Sequence, residues 1–586
     1  MRKRSSAKEA ELAEACERTE ALKAQKWFKN HVTYEGEAYT MDIEQAAAVV
    51  ASNKNIIVVA RAGSGKTRTI VAKIVYLVAR CQMRPEEIIA FVFNANAAAE
   101  INERLSKMLV DGKQIIDGVK VAWTFHAFSR HIIYNIYGGR ERCGKILAGE
   151  KDAFVQEIVR RMKKDKDYRE MMETFESDAD KLASEMIQFI NRAQQRYLGD
   201  GATLSSVIRK RLAEEGVTER ERLFLQIGEE CYKRYHWFLL NEAPRCRLAR
   251  GKYKEYGTDF NLVVSWASKI LAKSDAAKQF VTEKKCILID EYQDFSQLFL
   301  SVVLTMRGVI PDAQLFVVGD DWQAINRFAG SDVEYFKEFE KFFPGDTRRL
   351  SIATNYRCDY SVVETARCFM QKAMDERGDF RAHSRRSGKV VVVNPRETML
   401  SFGTVEYDKR VRPKDKIYIT MARRIVGKSP KRKTVQYFKA VMEILQANRK
   451  AKEILLLHRN NETNIEGASL EDALGGLRWG ASRLGMMGEE EFDDKVRIMT
   501  MHKSKGLEAE VVIILEADEG VIPKTHPDVL LYSVFGETNA VAADDQKRLF
   551  YVAMTRAKKR LYIIHDEATG EGFVKYLGRM ADKWEK

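Results

Sequence analysis

Short apolar runs mark the first part of the chain and predict buried strands. They are NIIVVA (55–60), EIIAFVF (87–93), KKCILID (284–290) and AQLFVVGDD (313–321). Each is rich in β-branched residues and bounded by Gly, Asn or Asp, as in strands that are buried on both faces of a parallel sheet. The first half of the chain is therefore predicted to contain a parallel α/β domain.

A second set of similar runs follows the first. Its members are KVVVVN (389–394), KIYITMA (416–422), EILLLHR (453–459), KVRIMTM (495–501), EVVIILEAD (510–518) and RLYIIHDE (560–567). The simplest fold class is α/β, with two parallel-sheet domains in tandem.

Helical periodicity dominates the region between the second and third predicted strands, at 87–93 and 284–290. From about residue 127 to 280 the apolar residues recur three and four apart, which predicts a helical insertion in the first domain. Residues 1 to about 30 form a polar Ala-, Glu- and Lys-rich pattern, for which we expect a solvated arm or a partner-binding extension. The predicted domains are an extension at 1–40, a first domain at 41–350 and a second at 351–586, with little or no insertion in the second.

Composition narrows the class of partner. The 586 residues, 45% hydrophobic and 31% charged, suit a globular chain of several subdomains, and the net charge of +14 favours a polyanion. Nucleic acid is the first choice and an acidic membrane surface the second. The eight cysteines form no CxxC pair, and no apolar run approaches a membrane span, so we expect a cytoplasmic protein, nucleoid-associated if bacterial.

The segment NIIVVARAGSGKTRTIV has the order strand, glycine loop and helix that binds nucleotide phosphates. Glycines let backbone N–H groups close around phosphate oxygens at a helix N-terminus. Lys66 is expected to neutralise the phosphates, and Thr67 to hold magnesium. The predicted ATP-binding residues of this segment are Ala60, Arg61, Ala62, Gly63, Ser64, Gly65, Lys66, Thr67 and Arg68.

Two adjacent carboxylates follow the strand CILI. Asp290 is the expected second magnesium ligand, and Glu291 is placed to orient or deprotonate the attacking water. Together with the glycine loop, this pair predicts ATP hydrolysis.

Further strings occur in a fixed order beside these two: GDDWQAINRFAGSD (319–332), NYRCD (355–359), TMHKSKGLEAEVVII (500–514) and LFYVAMTRAKKRLYI (549–563). Their combination resembles the UvrD/Rep/PcrA-like DNA helicases of superfamily one, nearest their helicase IV-like members. The resemblance runs from about Gln45 to Lys558. It implies two RecA-like domains and the cofactors ATP and Mg²⁺.

The resemblance assigns further residues to ATP. Gln45 is similar to the glutamine that reads adenine, Tyr356 to the residue that stacks on it, and Glu508 to the residue that holds the ribose. Gln323 resembles the γ-phosphate sensor.

Arg357 and Arg556 resemble two arginine fingers, a role worth about 10³–10⁵ in rate elsewhere. Because both lie in the second predicted domain, ATP would hold the two domains together and hydrolysis would release them.

A single-strand track is implied in the same way. Phe93 and Phe328 resemble stacking aromatics, whereas the backbone-contacting positions are Thr124, His126, Thr500 and His502. The clusters RAHSRRSGK (381–389) and KSPKRK (428–433) either line a phosphate path or form solvated faces.

Several positions depart from the family pattern. Asn326 replaces a stacking tyrosine, for which nearby Trp322 is a candidate substitute. Arg61 replaces a loop glycine, and we expect its side chain to point outward. Residues 357–502 leave no room for the large regulatory subdomain of the longer relatives.

The sequence thus predicts an ATP-dependent helicase that moves 3′ to 5′ on single-stranded DNA and unwinds tailed duplexes, with a protein partner expected for processive unwinding. Two alternatives stay open: an ATP-driven remodeller that displaces proteins from DNA or acts on RNA polymerase, and a nucleotide-switched nucleic-acid scaffold. Neither the pathway nor the oligomeric state follows from the sequence.

Overall fold

The computed structural model describes residues 2–137, 151–197, 200–241, 259–376, 378–400, 412–524 and 528–583. It contains two compact units. The first comprises Met1–Ala60, Lys66–Ile352 and Pro527–Thr538, and the second comprises Arg61–Gly65, Ala353–His526 and Asn539–Lys586. Parts of the predicted helical insertion, at 138–150, 198–199 and 242–258, lie outside the described residues.

The first unit is built on a six-stranded parallel sheet in the order β10-β3-β9-β8-β4-β7. A small antiparallel sheet, β2-β1-β5-β6, accompanies it. The strands of this unit are β1 (Val32–Tyr34), β2 (Glu37–Ala38), β3 (Asn55–Ala60), β4 (Ile88–Val92), β5 (Met108–Val110), β6 (Lys113–Gln114), β7 (Ala122–Thr124), β8 (Cys286–Ile289), β9 (Gln314–Gly319) and β10 (Thr347–Ile352).

Helices cover this sheet and form a separate helical layer. Those near the sheets are α1 (Arg2–His31), α2 (Ile43–Val50), α3 (Lys66–Ala79), α4 (Ala95–Lys107), α5 (Phe125–Tyr137), α11 (Phe260–Lys273), α12 (Asp275–Thr282), α13 (Gln297–Val309), α14 (Glu334–Lys337) and α15 (Phe339–Phe342). The helical layer contains α6 (Lys151–Lys164), α7 (Lys166–Phe175), α8 (Ala179–Tyr197), α9 (Gly201–Leu212) and α10 (Glu219–Asn241). The prediction of helices in this region is confirmed for its described part.

A segment from late in the chain completes the helical layer. Residues Val529–Phe535 form a short 3₁₀ segment, and Leu531, Tyr532, Val534 and Phe535 are buried in the apolar core that α6 to α10 share. Tyr197 donates its hydroxyl to the Val534 carbonyl, and Arg192 forms a 2.9 Å ion pair with Glu537. This distant segment therefore belongs physically to the first unit.

The first helix departs from the sequence expectation. The prediction of a solvated arm is wrong for its C-terminal half, because Ala21 and Phe28 are fully buried and Val32, directly after the helix, belongs to the same core. Phe28 packs edge-on against Trp27 and lies 5.8 Å from the Tyr39 ring, centroid to centroid. Ala21, Ala24 and Phe28 suffice for packing here because their spacing of three and four places them on one face of the helix.

The second unit has its own six-stranded sheet, β15-β14-β16-β17-β13-β18, whose pairs are parallel. A two-stranded pair, β11 with β12, lies beside it. The strands are β11 (Thr354–Asn355), β12 (Arg381–Ala382), β13 (Lys389–Val393), β14 (Ile454–His458), β15 (Val496–Thr500), β16 (Ala509–Ile514), β17 (Ala557–Ile564) and β18 (Ala581–Lys583). The helices are α16 (Tyr360–Met374), α17 (Pro413–Val426), α18 (Arg432–Ala447), α19 (Leu470–Arg483), α20 (Glu489–Lys495) and α21 (Asn539–Met554).

The predicted fold class, two tandem parallel-sheet α/β domains, is confirmed. One predicted strand is wrong, because KIYITMA (416–422) lies inside α17. Its buried residues Tyr418, Ile419, Ala422 and Ile425 recur at helical spacing, and Pro413 occupies the first turn, where its missing N–H costs nothing. No helix within the described ranges is long and apolar enough to cross a membrane.

Candidate functional site

The glycine loop follows the buried strand β3 and ends where α3 begins at Lys66. Gly63 and Gly65 have φ angles of +67° and +84°, a left-handed conformation that other residues adopt at a cost. The expectation that Arg61 points outward is wrong, because the residue is only 6% exposed. The loop therefore has the backbone conformation that phosphate binding needs, with the first basic side chain tucked inward.

Lys66 and Thr67 meet the two carboxylates that follow β8. The Lys66 ammonium lies 3.6 Å from the Glu291 carboxylate, and the Thr67 hydroxyl hydrogen-bonds to Asp290. Burial, and then the charge of Glu291, raises the pKa of Asp290 to about 7. A divalent cation would replace the solvation that this carboxylate lacks, so a buried carboxylate beside a hydroxyl fits Mg²⁺, which prefers hard oxygen ligands.

A polar relay links Glu291 to the loop after β9. The amide of Gln293 donates to Glu291, and its oxygen accepts the backbone N–H of Asp320 at 2.8 Å. Asp320 in turn accepts a 2.5 Å hydrogen bond from the amide of Gln323. Glu291 and Gln323 were predicted separately from the sequence, whereas Gln293, which is fully buried and joins them, was not predicted.

Gln45 lies in the first turn of α2, where it forms a capping box. Its backbone N–H donates to Asp42 at 2.7 Å, and its side-chain oxygen accepts the Asp42 N–H at 3.2 Å. The residue is 4% exposed. Capping fixes the rotamer of the side chain, and adenine recognition by Gln45 stays a prediction.

In the second unit, Asn355 holds the loop of residues 61–65. Its amide donates to the Ala62 carbonyl at 2.7 Å, and its oxygen accepts the backbone N–H groups of Arg357 and Cys358. Tyr356 adds a backbone hydrogen bond to the Gly63 carbonyl. A Cβ on Gly63 would lie 2.7 Å from both the Arg357 Cβ and the Asn355 amide nitrogen, so only glycine fits. The NYR motif is visible in the sequence, but no role for Asn355 was predicted from it.

Glu508 joins two basic residues. It accepts from Arg357 Nε at 2.7 Å and forms a 2.7 Å ion pair with Lys558. Burial opposes the charged form, but the hydrogen bond from Lys558 and the charge of Arg357 outweigh it and hold the pKa of Glu508 below its usual range. The carboxylate thus orients the Arg357 guanidinium, and its predicted role at the ribose stays a prediction.

Arg556 is fully buried in the second unit. Its guanidinium donates to the carbonyls of Val552 and Leu507 at 2.9 and 3.2 Å and to the Thr555 hydroxyl. Tyr356 is 44% exposed, and its ring centroid lies 4.6 Å from that of His383. Of the ATP-binding residues predicted in the second unit, Tyr356 is exposed, whereas Arg556 is buried and hydrogen-bonded to residues of the same unit.

An aromatic row crosses the surface of the first unit. Phe93 is 43% exposed and touches the buried Phe299, which also contacts His126. His126 contacts Phe260, which is 39% exposed. Phe93 and His126 were predicted from the sequence, whereas Phe260 was not, since its contact with His126 depends on the tertiary fold.

Phe328 is the most exposed of the candidate stacking residues of the first unit, at 54%. It lies in the short 3₁₀ segment Arg327–Ala329. Trp322, the proposed substitute for the missing tyrosine, is wrong for that role because it is fully buried. The remaining surface platform of this motif is Phe328.

The predicted backbone-contacting residues lie at the carboxyl ends of strands. Thr124 ends β7 and accepts the Ala127 N–H at 3.1 Å, and Thr500 ends β15 in the second unit. Burial lowers the pKa of both His126 and His502 to about 4, helped by nearby basic groups. Both rings are therefore neutral near pH 7, and their contact with a DNA backbone stays a prediction.

A parallel sheet that leads into a glycine loop, lysine and helix, with two carboxylates on a neighbouring strand, defines a P-loop NTPase. With the second parallel-sheet unit, the fold is that of tandem RecA-like domains. The profile of the UvrD/REP helicase N-terminal domain matches residues 41–344, and that of the UvrD-like helicase C-terminal domain matches 479–568. The chain belongs to the UvrD/Rep helicase family.

Individual relatives support this placement. DNA helicase IV of Escherichia coli (strain K12) is 27% identical over 567 residues, which cover 92% of this chain and 70% of that protein. A probable DNA helicase of Mycoplasma pneumoniae is 24% identical, over 89% of this chain and 82% of that protein. PcrA of Staphylococcus aureus is 23% identical, and there the match covers 56% of this chain and 39% of the relative.

Proposed function

We propose that this protein is an ATP- and magnesium-dependent DNA helicase that moves 3′ to 5′ on single-stranded DNA. The carrying observation is the arrangement of Lys66, Thr67, Asp290 and Glu291 within one unit. The names of the matched relatives, among them "ATP-dependent DNA helicase PcrA", support DNA as the substrate.

Each residue has a proposed task. Lys66 binds the terminal phosphates, which removes it from Glu291 and leaves that carboxylate to accept a proton from the attacking water. Thr67 and Asp290 hold Mg²⁺, which when bound neutralises phosphate charge. Gln323 reports the state of the γ-phosphate, and Arg357 and Arg556 stabilise the charge of the transition state.

The DNA-contacting residues are proposed from exposure and placement. Phe93, Phe328 and Phe260 offer ring faces for stacking, which is worth about 1–3 kcal/mol per base. Thr124, His126, Thr500 and His502 are proposed to contact the backbone of the strand. Direction of movement and strand separation rest on family membership.

Steady-state ATPase assays with magnesium, with and without single-stranded DNA, duplex DNA or single-stranded RNA, test the proposal. We expect strong stimulation by single-stranded DNA, and unwinding of a duplex with a 3′ tail but not a 5′ tail. Lys66→Ala should abolish turnover, and Glu291→Gln should bind ATP but hydrolyse it very slowly. Stimulation by RNA alone, or equal turnover in Glu291→Gln, contradicts the proposal.

A second readout separates the helicase from the remodeller. Displacement of a bound protein from a tailed duplex is measured on the same substrate as unwinding. Efficient displacement without strand separation would favour a remodeller, and ATP binding without DNA-stimulated turnover would favour a nucleotide-switched scaffold.

A further inference from the structure

A dense basic surface lies on the second unit and includes the cluster KSPKRK (428–433). Residues 412–433 comprise α17, the turn after it and the start of α18, and we call them the basic elbow. Their basic residues are Arg412, Lys414, Lys416, Arg423, Arg424, Lys428, Lys431, Arg432 and Lys433. The one acidic residue among them, Asp415, is buried and paired with Lys439 at 3.2 Å. The surface of the elbow is therefore almost purely cationic.

Glu466 fixes the elbow to the loop that follows β14. Its carboxylate accepts from the Lys431 backbone N–H at 2.8 Å and from the Thr434 hydroxyl at 2.5 Å. The same loop donates the Asn464 N–H to Glu516, just after β16. These contacts hold the turn between α17 and α18 and the start of α18, which together carry Lys428, Lys431 and Lys433, at the carboxyl edge of the sheet.

That edge also carries one of the proposed DNA contacts. Thr500 ends β15 and pairs in register with His458, the last residue of β14. Ligands of open α/β sheets bind outside the carboxyl ends of the strands. The elbow therefore extends the edge at which this unit is proposed to meet nucleic acid.

The elbow offers charge without stacking surface. Its one aromatic residue, Tyr418, is 4% exposed, whereas Lys428 is 62% exposed at the side chain. Single-strand sites combine cations with exposed aromatic rings, but a duplex hides its bases and presents phosphates. No residue of 412–433 is among the exposed large apolar side chains, so nothing here inserts into a lipid surface.

We propose that the basic elbow binds the phosphate backbone of duplex DNA, as the contact for the double-stranded arm of a tailed substrate. This inference rests on the proposed function for its substrate. It adds a surface that the motor residues do not provide.

Binding of the full chain to a blunt duplex and to a single strand of equal length tests the inference. The variant Lys428→Gln/Lys431→Gln/Lys433→Gln removes three exposed charges. If each lysine contacts one phosphate, the slope of log affinity against log salt becomes shallower by about 2.7 for the duplex, and duplex affinity falls about five-hundredfold near 0.1 M salt. Single-strand affinity and single-strand-stimulated ATPase should stay at native values.

Two controls make the result specific. Arg449→Gln/Lys450→Gln/Lys452→Gln removes the same charge just before β14, at the opposite edge of the same sheet, and should bind duplex normally. Lys428→Arg/Lys431→Arg/Lys433→Arg keeps the charge and should keep duplex affinity.

Three results would overturn the inference: an unchanged duplex slope, an equal loss in the control at the opposite edge, or an equal loss for both forms of DNA. Weaker binding to vesicles of anionic lipid with unchanged duplex binding would also overturn it. If DNA does not stimulate the ATPase activity of the native protein, the proposed function is refuted. The salt dependence of duplex affinity in the native protein and the variants would still test the role of the elbow.

Discussion

Gln293 links Glu291, which follows β8, to Asp320, which follows β9, in the first unit. Its side-chain N–H donates to Glu291, and its side-chain oxygen accepts the backbone N–H of Asp320. A Cβ atom on residue 319 would lie only 2.6 Å from that oxygen. Gly319 therefore makes space for the relay. Because Gln323 hydrogen-bonds to the same Asp320, three hydrogen bonds link Gln323 to Glu291, and the last of them joins Gln293 directly to Glu291.

The variant Gln293→Met keeps the volume of the side chain and removes both hydrogen bonds. A lost hydrogen bond to a charged group is worth about 1.5–3 kcal/mol, so we expect kcat of DNA-stimulated hydrolysis to fall about tenfold or more, with little change in the KM for ATP. Gln314→Met, at the other end of β9, is the matched control and should keep native kcat. An unchanged kcat in Gln293→Met would remove Gln293 from the relay.

The N-terminal helix illustrates how few residues hold an element in place. Phe28→Ala deletes a fully buried ring of α1, and we expect the free energy of unfolding to fall by about 3–5 kcal/mol. Leu22→Ala changes a residue of the same helix that is 50% exposed and should cost less than about 0.5 kcal/mol. Urea unfolding of both variants checks the difference. Equal effects would mean that α1 does not pack as described.

Runs of apolar residues predicted the strands correctly where nearly every residue is buried, and they failed where only one face of the element is buried. The strands β4 and β8 are buried throughout, and β3 and β9 are buried at all but one residue, so an apolar run identifies them. KIYITMA has a comparable composition but only one buried face, and its spacing of three and four is the better guide. Asn355 and Gln293 were missed because each makes one decisive hydrogen bond to a residue distant in sequence, Ala62 and Asp320 respectively, and no local pattern contains such a pair.

At the scale of the whole molecule, burial and charge combine differently at two histidines: they act together at His502 and oppose each other at His565. Burial, then Arg459 and Lys505, lowers the pKa of His502 to about 4. For His565, burial lowers the pKa, but Asp518 outweighs it and raises the pKa above its ordinary value. Acidification from about pH 7 to about pH 5 therefore costs stability at His502 and gains it at His565.

The sign at His502 follows from proton binding. The unfolded chain binds a proton below an ordinary pKa of 6.5 while the folded chain does not, so this contribution is complete above that pH and is lost as the pH falls toward about 4. His502→Asn should therefore flatten the fall in unfolding free energy between about pH 7 and about pH 5. His565→Asn should steepen it, because a contribution of opposite sign is removed. Urea unfolding without DNA at both pH values measures the slopes, and a native slope in His502→Asn would show that its ring titrates normally in the folded protein.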